Sequence, residues 1–241
     1  MNFPNQRRAL ITGASSGIGQ ATALAFAKAG INLALVSRSP EKLEQVAQAA
    51  QQAGVKAAVY PLDLAKLESV RDGISAIVAQ EGFIDILVNN AGIGYTGTTL
   101  ETPLSDWQQV MDLNLTSVFQ CIQGVLPAMR QMQSGTIINI ASIAAYQHFP
   151  GWCAYNVSKA ALVALSKTLA SEERGNGIRV TVVSPGAVNT PIWDTPTMQA
   201  DFDRSKMLTP DMVAQSILYT AMLPQAATVE ELTLMPSGGA L

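Results

Sequence analysis

Histidine is nearly missing from this 241-residue chain; His148, in AAYQHFPGWCAY, is the only one. Cysteine is almost as scarce, with Cys121 and Cys153 alone. No His, Cys, Asp or Glu grouping has metal-ligand spacing, so no metal is expected. No Ser–His–Asp spacing surrounds His148, which reads as loop surface or substrate rim rather than a triad base. Two cysteines without a secretion signal read as reduced thiols in a cytoplasmic protein. The N-terminal MNFPNQRR is polar with no apolar core behind it, unlike a signal peptide. No apolar run approaches the roughly 18 residues of a membrane span. Charge is sparse too: 15 Lys and Arg face 18 Asp and Glu, a net charge of −3. That balance gives no reason to expect a nucleic-acid or membrane-surface partner. Aromatic residues are 6% of the chain against 48% hydrophobic overall, so the core must be built from Ala, Val, Ile and Leu. Internal repeats, low-complexity stretches and linkers are absent, and the expectation is one domain over residues 1–241.

What is present alternates between two periods. RALITGA (8–14), INLALVS (31–37), VKAAVYPL (55–62) and IDILVNNAG (84–92) are short apolar runs, hence buried strands. GTIINIAS (135–142), IRVTVVSPG (178–186) and EELTLMP (230–236) continue the series. Between them lie segments of helical spacing at 18–30, 40–54, 65–82, 103–132, 154–173 and near 210–223. Gly30 and Gly54 are stop signals, and Pro40 is a start signal. Continuously apolar strands alternating with helices predict an α/β fold: a doubly wound parallel sheet, a Rossmann fold of about seven strands with helices on both faces.

The first strand runs straight into TGASSGIG (12–19) and then a helix. Glycine allows a tight turn and removes the Cβ that would block a ligand. The helix N-terminus adds unpaired N–H groups and a partial positive charge. The stretch reads as a pyrophosphate cradle. Its spacing is G-x-x-x-G-x-G rather than G-x-G-x-x-G, so alone it also fits an ordinary tight turn. The second strand ends in Ser37 and Arg38, where an NAD-binding sheet would carry an acid. A guanidinium suits a ribose 2′-phosphate, which favours NADP(H), although a solvated surface arginine would look the same.

Tyr155 and Lys159, in AYNVSKAAL, are four apart on a predicted helix and share a face. A nearby ammonium favours the phenolate and is expected to lower the tyrosine pKa, making a usable acid/base. Alone, such spacing also describes a surface pair. TGASSGIG, NNAG (89–92), Ser142 at a strand end, Tyr155 with Lys159, and SPGAVNT (184–190) occur in this order. That set resembles the single-domain short-chain dehydrogenase/reductase family, over essentially the whole chain from Arg8 to Gly239.

The resemblance implies an oxidoreductase that reduces a ketone or aldehyde by hydride transfer, with Tyr155 as general acid. Lys159 would tune Tyr155 and bind the nicotinamide ribose, Ser142 would hydrogen-bond the carbonyl oxygen, and Asn114 would hold a water linking the lysine to solvent. Gly13, Ser15, Ser16, Gly17, Ile18 and Gly19 would hold the cofactor phosphates and adenosine. Arg38 would meet the 2′-phosphate, with Ser37 beside it among the cofactor-binding residues, and Asp63 and Leu64 the adenine. Asn90, Ala91 and Gly92 would line the middle of the cofactor path, with Pro185, Gly186, Val188 and Thr190 along its nicotinamide half. A small-molecule carbonyl or alcohol is the implied substrate, and assembly into a homotetramer or homodimer through helices near 103–132 and 154–173 is the family expectation.

Residues 187–208 scatter Trp193, Met198, Phe202 and Met207 among polar residues and read as a substrate lid with Trp193 facing inward. Tyr146 and Trp152 are further candidates for the pocket wall. A 3-oxoacyl-[acyl-carrier-protein] or CoA thioester reductase is the alternative activity, and Arg130 and Arg174 resemble the arginines that hold an acidic carrier. The C-terminal PSGGAL lacks the Gly-x-x-x-x-Val-Asp/Asn-Gly-Gly ending common in those reductases. A cofactor sensor without turnover is the alternative from another class; the complete Asn114, Ser142, Tyr155 and Lys159 set argues against it.

Overall fold

The apolar runs of the sequence form seven strands that hydrogen-bond side by side. A computed structural model describes residues 7–198, 200 and 202–239. The strands are β1 (Arg8–Thr12), β2 (Asn32–Ser37), β3 (Ala57–Pro61), β4 (Ile86–Asn89), β5 (Gly135–Ile140), β6 (Ile178–Pro185) and β7 (Glu231–Leu234). Their order is β3-β2-β1-β4-β5-β6-β7, and every neighbouring pair is parallel. All residues of β2, β4, β5 and β6 are buried, as strands covered on both faces must be. β7 alternates exposed and half-buried residues, as an edge strand does.

Helices α1 (Gly17–Lys28) and α2 (Pro40–Gln52) cover one face together with α7 (Pro210–Met222). There Phe26, Leu43, Val46, Val213 and Ile217 pack into one apolar core. On the other face, α3 (Leu67–Glu81), α5 (Ser117–Met132) and α6 (Cys153–Glu173) contribute Val70, Ile74, Val125, Leu162 and Leu169 to a second core. Each such side chain stabilises the fold by about 1.5–3 kcal/mol on burial. No helix among the described residues is long and apolar enough to cross a membrane.

The helical pattern predicted at 103–132 is interrupted. α4 (Leu104–Met111) passes into a wider π-turn, Asp112–Thr116, before α5 begins. Asn114 sits inside that turn and is 1% exposed. Widened turns of this kind recur at functional sites because they re-aim a side chain.

Chain order reverses between β1 and β4, which leaves a crevice beyond their C-terminal ends. The reversal is stitched by side chains. The Thr12 hydroxyl accepts from the backbone N–H groups of Asn90, at 3.0 Å, and Ala91, at 3.1 Å. The Asn90 amide donates back to the carbonyls of Thr12, at 3.0 Å, and Gly13, at 3.2 Å.

Candidate active site

A cavity of about 520 Å³ opens above this reversal. From β1 and α1 it is lined by Gly13, Ser15, Ser16, Gly17 and Ile18. Gly13 has φ +65° and Gly17 φ +54°, the left-handed region that the tight turn requires. Space matters as much as conformation. A Cβ on Gly13 would stand 2.9 Å from the Ala91 Cα, and one on Gly19 would collide with the Gly13 carbonyl oxygen. Gly19 therefore lies beneath the turn and packs it, rather than lining the cavity. Ser16 caps α1 in extended conformation without a side-chain cap bond, so the first turn of the helix faces the cavity.

Ser37, Arg38, Asp63 and Leu64 line the end near β2. Two residues there escaped sequence reasoning, Ser39 and Lys42. Lys42 lies in the first turn of α2, four residues after Arg38, so spacing was the available signal. Asn90, Ala91 and Gly92 line the middle, and Pro185, Gly186, Val188 and Thr190 the far side.

Ser142, Tyr155 and Lys159 meet at the inner end. Ser142 lies two residues beyond β5 and caps the short turn Ile143–Ala145; its oxygen accepts from the Ala144 N–H at 3.2 Å, which leaves its own hydrogen directed elsewhere. Lys159 is buried, and its Nζ donates to the Ile140 carbonyl at 2.8 Å. Burial pushes the Lys159 ammonium down to a pKa of about 8. Tyr155 behaves differently from the expectation. Burial raises its pKa, and a hydrogen bond with Ser142 only partly opposes that. The Lys159 ammonium stands 5.7 Å from the ring centroid.

Two expected residues are placed elsewhere. Asn114 does not line the cavity. Its Oδ1 accepts from the Ile93 N–H at 2.8 Å, and its Nδ2 donates to the Ile93 carbonyl at 2.9 Å and to the Ser158 hydroxyl at 3.1 Å. It ties the loop after β4 to α6, beside Lys159. Tyr146 is also outside. Its hydroxyl donates to Glu231 at 2.7 Å, and Lys167 pairs with the same carboxylate at 2.5 Å, so the ring follows that ion pair toward β7. His148 is exposed, and no cluster of metal-binding type occurs among the described residues.

Trp152 and Trp193 line the cavity, joined by Met198 and Phe202 from the segment read as a lid and by Phe149, which sequence reasoning did not place there. Residues 187–208 form two short turns, Pro191–Asp194 and Arg204–Lys206, fastened by an Arg204–Asp194 ion pair at 2.6 Å. Gln199 and Asp201, within the expected lid, lie outside the described residues.

This arrangement has relatives. The short chain dehydrogenase profile matches residues 7–200. The chain belongs to the short-chain dehydrogenase family. Its fold matches an alcohol dehydrogenase from the archaeon Thermococcus sibiricus, complexed with 5-hydroxy-NADP, at a TM-score of 0.88 and 30% identity over 97% of both chains. It also matches a metagenomic short-chain oxidoreductase in complex with NADP, with a TM-score of 0.84 and 29% identity over 96% of this chain and 97% of the other. A 3-oxoacyl-[acyl-carrier-protein] reductase of Staphylococcus epidermidis is 39% identical over 183 residues, 76% of this chain and 75% of that protein. This short-chain dehydrogenase is thus an oxidoreductase by family, and Ser142, Tyr155 and Lys159 line the cavity above the chain reversal, with Asn114 behind them.

Proposed function

We propose that the chain is an NADP(H)-dependent carbonyl reductase that converts a ketone or aldehyde to an alcohol, with Tyr155 as general acid. One observation carries the reading. A glycine turn whose Gly13 has no room for a Cβ, two cations at Arg38 and Lys42, and the Ser142–Tyr155–Lys159 group line a single cavity. The residues fit the cofactor. Ser15, Ser16 and the first turn of α1 suit its pyrophosphate. Arg38 and Lys42 suit a 2′-phosphate, which an acid at this place would repel. NADP in the two solved relatives supports the same choice.

When bound, the reduced nicotinamide supplies the hydride. The raised pKa of Tyr155 keeps its phenol protonated near neutral pH, ready to donate to the substrate oxygen. Ser142 directs its hydroxyl at the same oxygen and stabilises the charge that develops there. Lys159 holds a proton behind Tyr155 and would bind ribose hydroxyls. Asn114 acts as a positioning residue, through Ile93 and Ser158.

The test is purified protein with NADPH, NADH and a carbonyl panel, followed by cofactor fluorescence and oxidation. Tyr155→Phe should keep NADPH binding and lose about 10²–10⁴-fold in turnover. Arg38→Asp should weaken NADPH far more than NADH. A near-normal Tyr155→Phe rate sinks the acid role, and equal losses for both cofactors sink the NADP(H) preference.

A second reading, 3-oxoacyl thioester reduction, is favoured by the Staphylococcus epidermidis relative. Its carrier-holding arginines are poorly supported. Arg130 and Arg174 lie at the C-terminal ends of α5 and α6, the side of a parallel α/β sheet opposite the cavity, and are paired with Glu173 and Glu230. We also propose self-association through α5 and α6, where Phe119 and Val157 are exposed. A strictly monomeric solution mass would refute it.

A further inference from the structure

Aromatic residues are scarce in this chain, yet five rings gather on one wall of the cavity. Trp152 stands at the centre, 6.0 Å from Phe149, 5.7 Å from Tyr155 and 6.0 Å from Trp193, measured between ring centroids. Phe202 extends the row, 5.3 Å from Trp193. The contacts are tilted or edge-on, with interplanar angles of 56° to 85°. Met198 joins them from the same segment. All five rings line the cavity.

Two polar groups of this wall are already engaged. The Trp193 Nε1 donates to the Val188 carbonyl at 2.7 Å. The Thr195 hydroxyl donates to the Ile192 carbonyl at 2.8 Å. Among the described residues, the charged ones lining the cavity are Arg38, Lys42, Asp63 and Lys159; the first three lie at the β2 end, and Lys159 is tied to Ile140. Among the described residues, the aromatic end offers a ligand the hydroxyls of Ser142 and Tyr155 and the Trp152 indole N–H, and no charged side chain stands among its rings.

The geometry points to a neutral aryl ketone or aryl aldehyde as the substrate class, its carbonyl at Ser142 and Tyr155 and its ring among Phe149, Trp152, Trp193 and Phe202. An inserted ring continues the edge-on pattern at centroid distances of about 4.5–7 Å, the range aromatic pairs prefer. The Met198 thioether adds a polarizable contact that favours aromatic carbon. A carboxylate would be desolvated there without a cation. This substrate class rests on the carbonyl-reductase reading, so the test has one arm that needs no turnover.

In the first arm, benzamide, a neutral aryl carbonyl that the enzyme does not reduce, is titrated calorimetrically against the NADP-loaded protein, with acetamide and benzoate as controls. The expected result is saturable benzamide binding, at least about tenfold tighter than either control and weakened about tenfold or more by Trp193→Ala. Phe202→Ala serves the same purpose if the tryptophan variant does not fold, as judged by its melting curve. In the second arm, kcat/KM is compared for acetophenone, 2-butanone, acetoacetate and acetoacetyl-CoA. Acetophenone should lead by at least about tenfold, and Trp193→Phe should keep most of a lead that Trp193→Ala loses. Faster turnover of acetoacetate or acetoacetyl-CoA overturns the aryl class while leaving the reductase reading intact. Turnover of nothing in the panel counts against the reductase reading, and the benzamide titration then still decides the pocket: absence of saturable binding overturns it.

Discussion

The Lys159 ammonium lies 5.7 Å from the centroid of the Tyr155 ring, and burial shifts the two groups in opposite directions. The phenol rises above its ordinary 10, and the ammonium falls from 10.5 to about 8. Tyr155 therefore stays protonated through the neutral range. Lys159 is charged below about pH 8 and neutral above it. Reduction should show a flat kcat/KM up to roughly that pH and a fall beyond it. Lys159→Arg, always charged, should move the falling limb upward by more than a unit in whatever activity it keeps. An unchanged limb in that variant would assign the titration to another group.

The same shift predicts a stability effect. The unfolded lysine keeps its proton up to about 10.5, whereas the folded one loses it near 8. Between those values the unfolded state binds more protons, so stability rises with pH. Below pH 8 the buried charge costs on the order of 3 kcal/mol. Lys159→Met should therefore abolish turnover and raise Tm by several degrees at neutral pH. Melting curves from pH 7 to 10 should converge for the two proteins as the wild type loses its proton. Parallel curves would mean that Lys159 is not the destabilising group.

Gly19 tests the cradle without touching the lining. An added methyl would meet the Gly13 carbonyl oxygen and, at 2.5 Å, the Asn90 amide nitrogen. Both belong to the stitch that holds β1 to β4. Gly19→Ala should cost about 1–3 kcal/mol of stability through overpacking and weaken NADPH binding together with NADH. Gly30→Ala is the comparison. Its position has φ +80° but nothing within 4 Å, so strain alone should lower stability there and cofactor affinity should hold. Equal affinity losses in both variants would detach the cradle from the crowding at Gly19.

The sheet was legible in the sequence because fully buried parallel strands are written as unbroken apolar runs, as β2 and β6 show. The glycine turn and the Tyr155–Lys159 spacing were legible because both rest on local geometry. What depended on distant partners was not. Tyr146 turns to Glu231, a residue 85 positions away, and no local pattern announces that pull. Asn114 faces Ile93 and Ser158 because the helix widens at 112–116, a change of winding that the apolar period does not encode. The direction of the Tyr155 shift also needed depth, since spacing revealed the ammonium but not the loss of water around both groups. Phe149 and Phe202 reach one wall from segments about fifty residues apart, so their meeting is a property of the tertiary fold.

Arg130 and Glu173 separate stability from carrier binding. Glu173 is buried and accepts from the Arg130 Nε at 2.9 Å and from the Asn176 amide at 2.9 Å, which holds its carboxyl below the ordinary 4.5. A depressed carboxylate stabilises the fold above its unfolded pKa and loses that contribution as pH falls through the folded one. Arg130→Ala should lower Tm clearly at pH 7, and the gap to wild type should narrow below about pH 4.5. Lysine should restore only part of it, because an ammonium cannot match the two-pronged contact. Turnover of a small ketone should be unchanged at a temperature where both proteins are folded, since the pair lies at the far side of the sheet. If Arg130 also held an acyl carrier, thioester turnover would fall in Arg130→Ala while ketone turnover stayed level. Equal behaviour toward both substrates would leave Arg130 as a partner of Glu173 alone and remove the main residue on which the carrier reading depends.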